Sequence, residues 1–254
     1  MSIDLNCDSG ESFGVYRLGL DAEIIPLVTS VNIACGFHAS DPVHMHQTVK
    51  LAKKYGAAVG AHPSYPDLVG FGRRPLQASP EEIKGDVIYQ IGALQGFCRA
   101  EAISLQHVKA HGALYNDAAK DLEVAVAIAE AVKAIDPGLY LVCLSQSAMI
   151  EAAKRVGIRY VEEVFADRAY TAAGGLVSRK LAGAVIHDPQ AVADRVVQMA
   201  TEKTVTAIDG SVVALNPQTI CLHGDTPGAV ELAGRIRRAL QAAGVTLRPF
   251  GAAL

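Results

Sequence analysis

Short apolar runs rich in branched residues alternate with longer segments of helical period along the whole chain, and this alternation constrains the fold more than any other feature. A helix that follows one strand and precedes the next returns the chain to the starting edge of the sheet, so repeated βα units build a parallel sheet. The runs predict strands at 3–6, 31–35, 57–61, 104–108, 140–144, 159–165 and 219–222, with a further short run at 245–249. Helices are expected between them. Over 41–55, Val43, Val49, Leu51 and Ala52 supply apolar positions behind an Asp41 N-cap and Pro42. Ser79-Pro80-Glu81-Glu82 opens a second helix that runs to about 102. A third spans 117–135, with Val124, Ile128, Val132 and Ile135 facing inward and Asp136-Pro137-Gly138 as its stop. A fourth covers 227–243, with Val230, Ala233, Ile236 and Leu240 inward and Gly244 closing it. Only 205–215 breaks the rhythm, because Asp209-Gly210 between two apolar runs is a hairpin signal.

Seven or eight such units either close into a (β/α) barrel or spread into a doubly wound sheet. An open sheet gathers its functional groups at one switch point, whereas a barrel collects them from many strand ends. Here nearly every strand end is polar, which favours a closed barrel of one domain over residues 1–254. With no composition break to suggest a linker, 254 residues are enough to bury such a core without disulfides or structural metal. The five cysteines form no CxxC pair and read as reduced thiols. A formal charge of -3, with no Lys/Arg cluster, excludes an electrostatic footprint for nucleic acid. No apolar run reaches the ~18 residues of a membrane span, and the opening MSIDLNCDSGE shows no secretory pattern, so a cytoplasmic location is expected.

The strand ends supply the candidate chemistry. Asp4, Asn6 and Asp8 share one face of the first strand, followed by Gly10 and Glu11. The second leads into NIACGFHASDP with Asn32 and His38, and the third into GAHPSYPD with His62, then Arg73 and Arg74. The fourth ends in VKAHGALYN, offering Lys109, His111, Tyr115 and Asn116. Near the sixth lies EEVFADRAY, with Glu162 and Glu163, and the seventh enters CLHGDTPG with His223 and Asp225. Taken singly, such residues are more often turn and cap residues than functional ones. Asp41 is best read as a helix cap, and His44, His46, His107 and His187 as solvated or packed. Closure of one barrel, however, would bring His38, His62, His111 and His223 toward a single mouth, which is hard to ascribe to chance.

Two chemistries fit such a mouth. A divalent metal could be held by imidazoles and a carboxylate, with His38, His62, His111, His223 and Asp8 as candidates. Alternatively, metal-free acid/base catalysis could use a carboxylate or imidazole as base while Lys109 and backbone amides hold a developing charge. No HExxH, GxxxxGK[ST] or GxSxG sequence decides between them.

The ordered motifs DLNCDSGE, NIACGFHASDP, GAHPSYPD, VKAHGALYN, EVFADRAY and HGDTPGAV cover nearly the whole chain and resemble the LamB/YcsF family. The resemblance implies a seven-stranded (β/α) barrel similar to glycoside hydrolase/deacetylase barrels. It also implies cleavage of 5-oxoproline to glutamate at the expense of ATP and Mg2+, with separate 5-oxoprolinase B and C subunits as partners. The nucleotide would be held here or mainly by those partners. On this reading Asp8, Lys109 and His111 are catalytic: Asp8 or His111 positions water, and Lys109 with Arg179 stabilises phosphate or carboxylate. Asn6, Glu11, Asn32, His38, His62, Arg179, His223 and Asp225 bind substrate. The chain departs from the family pattern at Ser40 and Ala110, where Gly and Pro are usual, and at Ala172 and Ala173, in a turn that is usually more acidic. The alternatives are a metal-dependent deacetylase or amidohydrolase acting without ATP, and a lactam-binding subunit without catalytic activity.

Overall fold

The computed structural model describes residues 1–222 and 228–252. In chain order the elements are β1 (Ser2–Ser9), α1 (Asp21–Ile24), β2 (Ser30–Ala34), α2 (Pro42–Tyr55), β3 (Ala58–His62), α3 (Pro80–Ala100) and β4 (Leu105–Val108). There follow α4 (Gly112–Ala118), α5 (Leu122–Ile135), β5 (Tyr140–Leu144), α6 (Ala148–Val156), β6 (Arg159–Phe165) and α7 (Pro189–Glu202). The chain then forms β7 (Thr204–Thr206), β8 (Val212–Ala214), β9 (Thr219–Leu222), α8 (Ala229–Ala242) and β10 (Thr246–Leu247).

The ring runs β1-β2-β3-β4-β5-β6-β9, and parallel pairing of β1 with β9 closes it. Seven strands therefore form the (β/α) barrel that the alternating pattern predicts. The eighth run, β10, lies outside the ring. It pairs with β1 at Ser2 and Ile3, before the register of β1 with β2 begins at Asn6. The expected hairpin is present as antiparallel β7 and β8, with Gly210 at φ 87 in its turn. It branches from the β6-to-β9 connection and takes no part in closure.

The helices pack outside the ring. Asp41 caps α2 by accepting from the Val43 and His44 amides, and Ser79 and Glu82 form the reciprocal capping box of α3. Where one helix is expected over 117–135 there are two. Asp121 accepts from the Glu123 amide and starts α5 afresh after α4 has ended at Ala118. Most of the buried face of α5 is alanine (Ala125, Ala127, Ala129, Ala131), joined by Ile128 and Val132, while Val124 and Ile135 are half-buried. Small side chains there let α3 and α6 approach closely. In α8, Ala233, Ile236 and Leu240 are buried as expected and Val230 is half-buried; the expected start at Pro227 lies outside the described residues. Among the described residues no helix is long and apolar enough to cross a membrane.

Candidate active site

Inward-facing positions of (β/α) barrels are usually filled by Val, Ile and Leu. This ring instead encloses a column of hydrogen-bonded polar side chains. At its base the Asp4 carboxylate accepts from the hydroxyls of Thr29 (2.6 Å), Ser30 (2.7 Å) and Thr219 (2.5 Å). Burial raises the Asp4 carboxyl to about 6, against the opposing pull of those three hydroxyls. One layer up, Asn6 Nδ2 donates to Thr219 Oγ1 (2.7 Å) and Glu163 Oε1 (3.1 Å). Asn32 Nδ2 donates to Asn6 Oδ1 and Asp8 Oδ1, each at 2.8 Å. His107 Nε2 lies 2.8 Å from Asn32 Oδ1 and passes directly over Gly60, where a Cβ would sit 2.0 Å from that nitrogen. Gly60 is thus required by close approach rather than by a turn.

Lys109 crosses the lumen from β4. Its Nζ is 2.9 Å from Asp8 Oδ1, 3.0 Å from Glu163 Oε1 and 3.0 Å from Cys221 Sγ. Burial opposes its charge, but the carboxylates of Asp8 and Glu163 outweigh that penalty and hold the ammonium well above its ordinary range. Glu163 accepts in addition from Asn6 and from Tyr115 OH at 2.8 Å. The ion cluster therefore has few unsatisfied bonds, the condition under which buried charges are tolerable.

At the carboxyl end sit Glu11, His38, His62 and His111. His62 Nδ1 lies 2.6 Å from the Lys109 carbonyl and His111 Nε2 lies 2.9 Å from the Phe71 carbonyl. A carbonyl only accepts, so each of these ring nitrogens donates. The opposite nitrogens, His62 Nε2 and His111 Nδ1, face each other at 3.0 Å, and His62 Nε2 is 3.2 Å from Asp8 Oδ2. His38 stacks on His111 with centroids 3.7 Å apart, places Nε2 3.3 Å from Glu11 Oε1, and leaves Nδ1 buried without a hydrogen-bond partner. Burial, reinforced by the other imidazoles, pushes His38 well down and His111 to about 3. Gly72, at φ 63, carries the 71–73 loop onto this group; a Cβ there would lie 2.8 Å from both His38 and His111. The Ala113 amide donates to the Gly72 carbonyl (2.8 Å) and anchors the loop to α4. One donor atom from each of Glu11, His38, His62 and His111 lies within 4.8 Å of the others, so this is the set that could hold a metal.

Eight expected residues thus converge: Asn6, Asp8, Glu11, Asn32, His38, His62, Lys109 and His111. Arg179 lies exposed on the loop between β6 and α7, and His223 and Asp225 lie outside the described residues. Of the histidines set aside, His44 is buried 2.5 Å from Asp41, His46 lies 2.7 Å from Glu101, and His187 is exposed. His107 is packed as expected, but within the polar column. Asp4, Tyr115 and Glu163, named among the polar strand ends but given no role, complete that column together with Thr219 and Cys221, which were not named among them. Glu163 had a readable signal: it shares a strand face with the apolar Val161 and Phe165. Ser40 adopts φ 75, a conformation that glycine reaches without steric cost.

A closed (β/α) barrel with a carboxylate, lysine and imidazole cluster at its carboxyl-end mouth defines a ligand-binding or acid/base barrel. The LamB/YcsF family model matches residues 3–254, and the chain belongs to that family. It is 54% identical to a Symbiobacterium thermophilum protein named as the A subunit of 5-oxoprolinase over 250 residues, 98% of this chain and 96% of the relative. An Agrobacterium fabrum protein, also named as an A subunit of 5-oxoprolinase, is 52% identical over 98% of each chain. The crystal structure of a lactam utilization protein from Thermus thermophilus superposes with a TM-score of 0.95 at 51% identity, covering 98% of this chain and 100% of that one.

Proposed function

We propose that this chain is the A subunit of an ATP-dependent 5-oxoprolinase and opens 5-oxoproline to glutamate together with separate B and C subunits. The observation that carries the reading is the full-length likeness to proteins named as A subunits of 5-oxoprolinase. The geometry is compatible with the chemistry. A five-membered lactam is a resonance-stabilised amide, so its hydrolysis has to be driven. Transfer of the ATP γ-phosphoryl group to the amide oxygen, with ADP and Mg2+ leaving, makes the carbon electrophilic. Water then adds to that carbon, the ring C–N bond breaks as nitrogen takes a proton, and a second water hydrolyses the acyl phosphate.

Asp8 is the base in this scheme. Lys109 and Asn32 fix its Oδ1, while Oδ2 is turned toward His62 at the mouth. It takes the proton from the attacking water and returns it to the departing nitrogen. Lys109 already donates to Asp8 and sits against Glu163, so it acts by holding Asp8. The substrate carboxylate and the transferred phosphate fall to exposed cations on the loops, Arg73 after β3 and Arg179 after β6. His111 and His62 border the carbon under attack, and His38 and Asn6 complete the pocket among the described residues.

The grouping of Glu11 with three imidazoles favours one second reading, an amidohydrolase that uses a metal and no ATP. Source cells lacking this chain should accumulate 5-oxoproline, and wild type but not Asp8→Asn should reverse it. No accumulation, once a second 5-oxoprolinase is excluded, would transfer the assignment to the ATP-independent reading.

A further inference from the structure

We infer that Glu11, His38, His62 and His111 form a resident divalent-metal site of the zinc type. The first ground is the direction of the ring protons. The Lys109 and Phe71 carbonyls claim the N–H of His62 Nδ1 and His111 Nε2, so in the neutral rings the facing pair, His62 Nε2 and His111 Nδ1, presents two lone pairs to each other at 3.0 Å. Glu11 Oε1, 3.8 Å from His111 Nδ1, and Asp8 Oδ2, 3.2 Å from His62 Nε2, add further acceptors to the same space. Four electron-rich atoms converging in a buried place require an electropositive centre.

A shared proton would relieve one pair only. The spacing suits a metal better: bonds of about 2.0–2.1 Å in a tetrahedral zinc site place neighbouring donors roughly 3.4 Å apart. Three of the six donor separations, His62–His111, His38–Glu11 and His111–Glu11 at 3.0, 3.3 and 3.8 Å, bracket that value, and all four donors lie within 4.8 Å of one another. The second ground is the surrounding shell. Backbone carbonyls on the remote ring nitrogens fix the tautomer and aim of His62 and His111, as the outer shell of metal-bound histidine does. Gly72, which a single Cβ would drive away, brings one of those carbonyls close.

The third ground is charge. The cluster sets three carboxylates, Asp8, Glu11 and Glu163, against the Lys109 ammonium, with the Arg73 cation acting on His38 and His111 from the neighbouring loop. The carboxylates still outnumber the cations, which favours a further positive centre among them. A donor set of three imidazole nitrogens and one carboxylate oxygen is that of Zn2+ or Co2+, and differs from the oxygen shell preferred by Mg2+. The site is therefore distinct from any Mg2+ that travels with ATP.

The test reads binding, so its failure would leave the proposed reaction standing. The full chain, stripped with chelator, is titrated with Co2+ and then Zn2+. Wild type should take up one Co2+ with the intense visible bands of tetrahedral coordination, and Zn2+ should bleach them. Glu11→Gln and His62→Asn should each weaken Co2+ binding at least about tenfold, while His187→Ala, at an exposed position, should bind as wild type does. Glu11 stands at the rim of the cluster, so Glu11→Gln keeps the test decisive if His62→Asn does not fold. A pale octahedral spectrum in wild type, or unchanged affinity in Glu11→Gln, would overturn the inference.

Discussion

Replacing Lys109 by Met keeps the apolar stem and removes the charge that joins two buried carboxylates. The Asp8 Oδ1 and Glu163 Oε1 atoms lie 2.9 and 3.0 Å from Nζ, and the lysine and Glu163 side chains are 3% and 0% exposed. Breaking a buried pair by deleting one partner costs about 3–5 kcal/mol, because the remaining charge is left desolvated. Asp8 keeps Asn32, and Glu163 keeps Asn6 and Tyr115, which places the expected loss toward the lower end, roughly 3 kcal/mol. The folded pKa of Lys109 is raised, so its contribution is fully present below its unfolded value and is lost only as pH climbs through the higher folded one. The deficit should therefore be present near neutrality. Urea unfolding followed by circular dichroism measures it in wild type, Lys109→Met and Lys109→Met/Glu163→Gln. The double variant should recover at least about 1 kcal/mol by removing one uncompensated charge. A single-variant loss under about 1 kcal/mol, or a double variant no more stable than the single, would refute this account of the cluster.

Asp4, raised to about 6, contributes stability that is lost as pH rises from its unfolded value through the folded one. A shift of that size corresponds to roughly 3 kcal/mol, so between mildly acidic and neutral pH wild type should lose stability relative to Asp4→Asn; parallel pH profiles would contradict the assignment. Gly60→Ala places a Cβ 2.0 Å from His107 Nε2 and should cost about 1–3 kcal/mol by overpacking. An unchanged Tm would mean that the column tolerates more than its geometry suggests. All five cysteines are buried, and burial pushes the thiols up, Cys98 to about 11 and Cys35 to about 12. Ellman's reagent should label none in the native protein and all five in denaturant, and rapid native labelling would contradict their burial.

Much of this was legible in the sequence because strand periodicity is a local property. Asp4, Asn6 and Asp8 could be placed on one face of β1 from spacing alone, and the barrel carries that face into its lumen. The helix caps at Asp41 and Ser79 are equally local. What distinguishes Glu163 and His107 is which residues meet them across the ring, and that depends on register. Glu163 meets Asn6 and Lys109 only because β6 pairs with β9 and β9 with β1. His107 is admitted by the missing side chain of Gly60 on the neighbouring strand. The late start of α5 was hidden because Val124, Ile128, Val132 and Ile135 all lie within it and carry no mark of where the preceding turn ends. Only the capping bond of Asp121 reveals it.

The most direct test of the central claim is glutamate formation from 5-oxoproline and ATP by the complete complex with B and C subunits, in which this chain alone carries Asp8→Asn. If Asp8 moves the proton of the attacking water, kcat falls by about 10²–10⁴ while the KM for ATP stays near wild type. A kcat within about twofold of wild type, in a complex that assembles normally, would contradict the claim that the reaction is carried at this mouth.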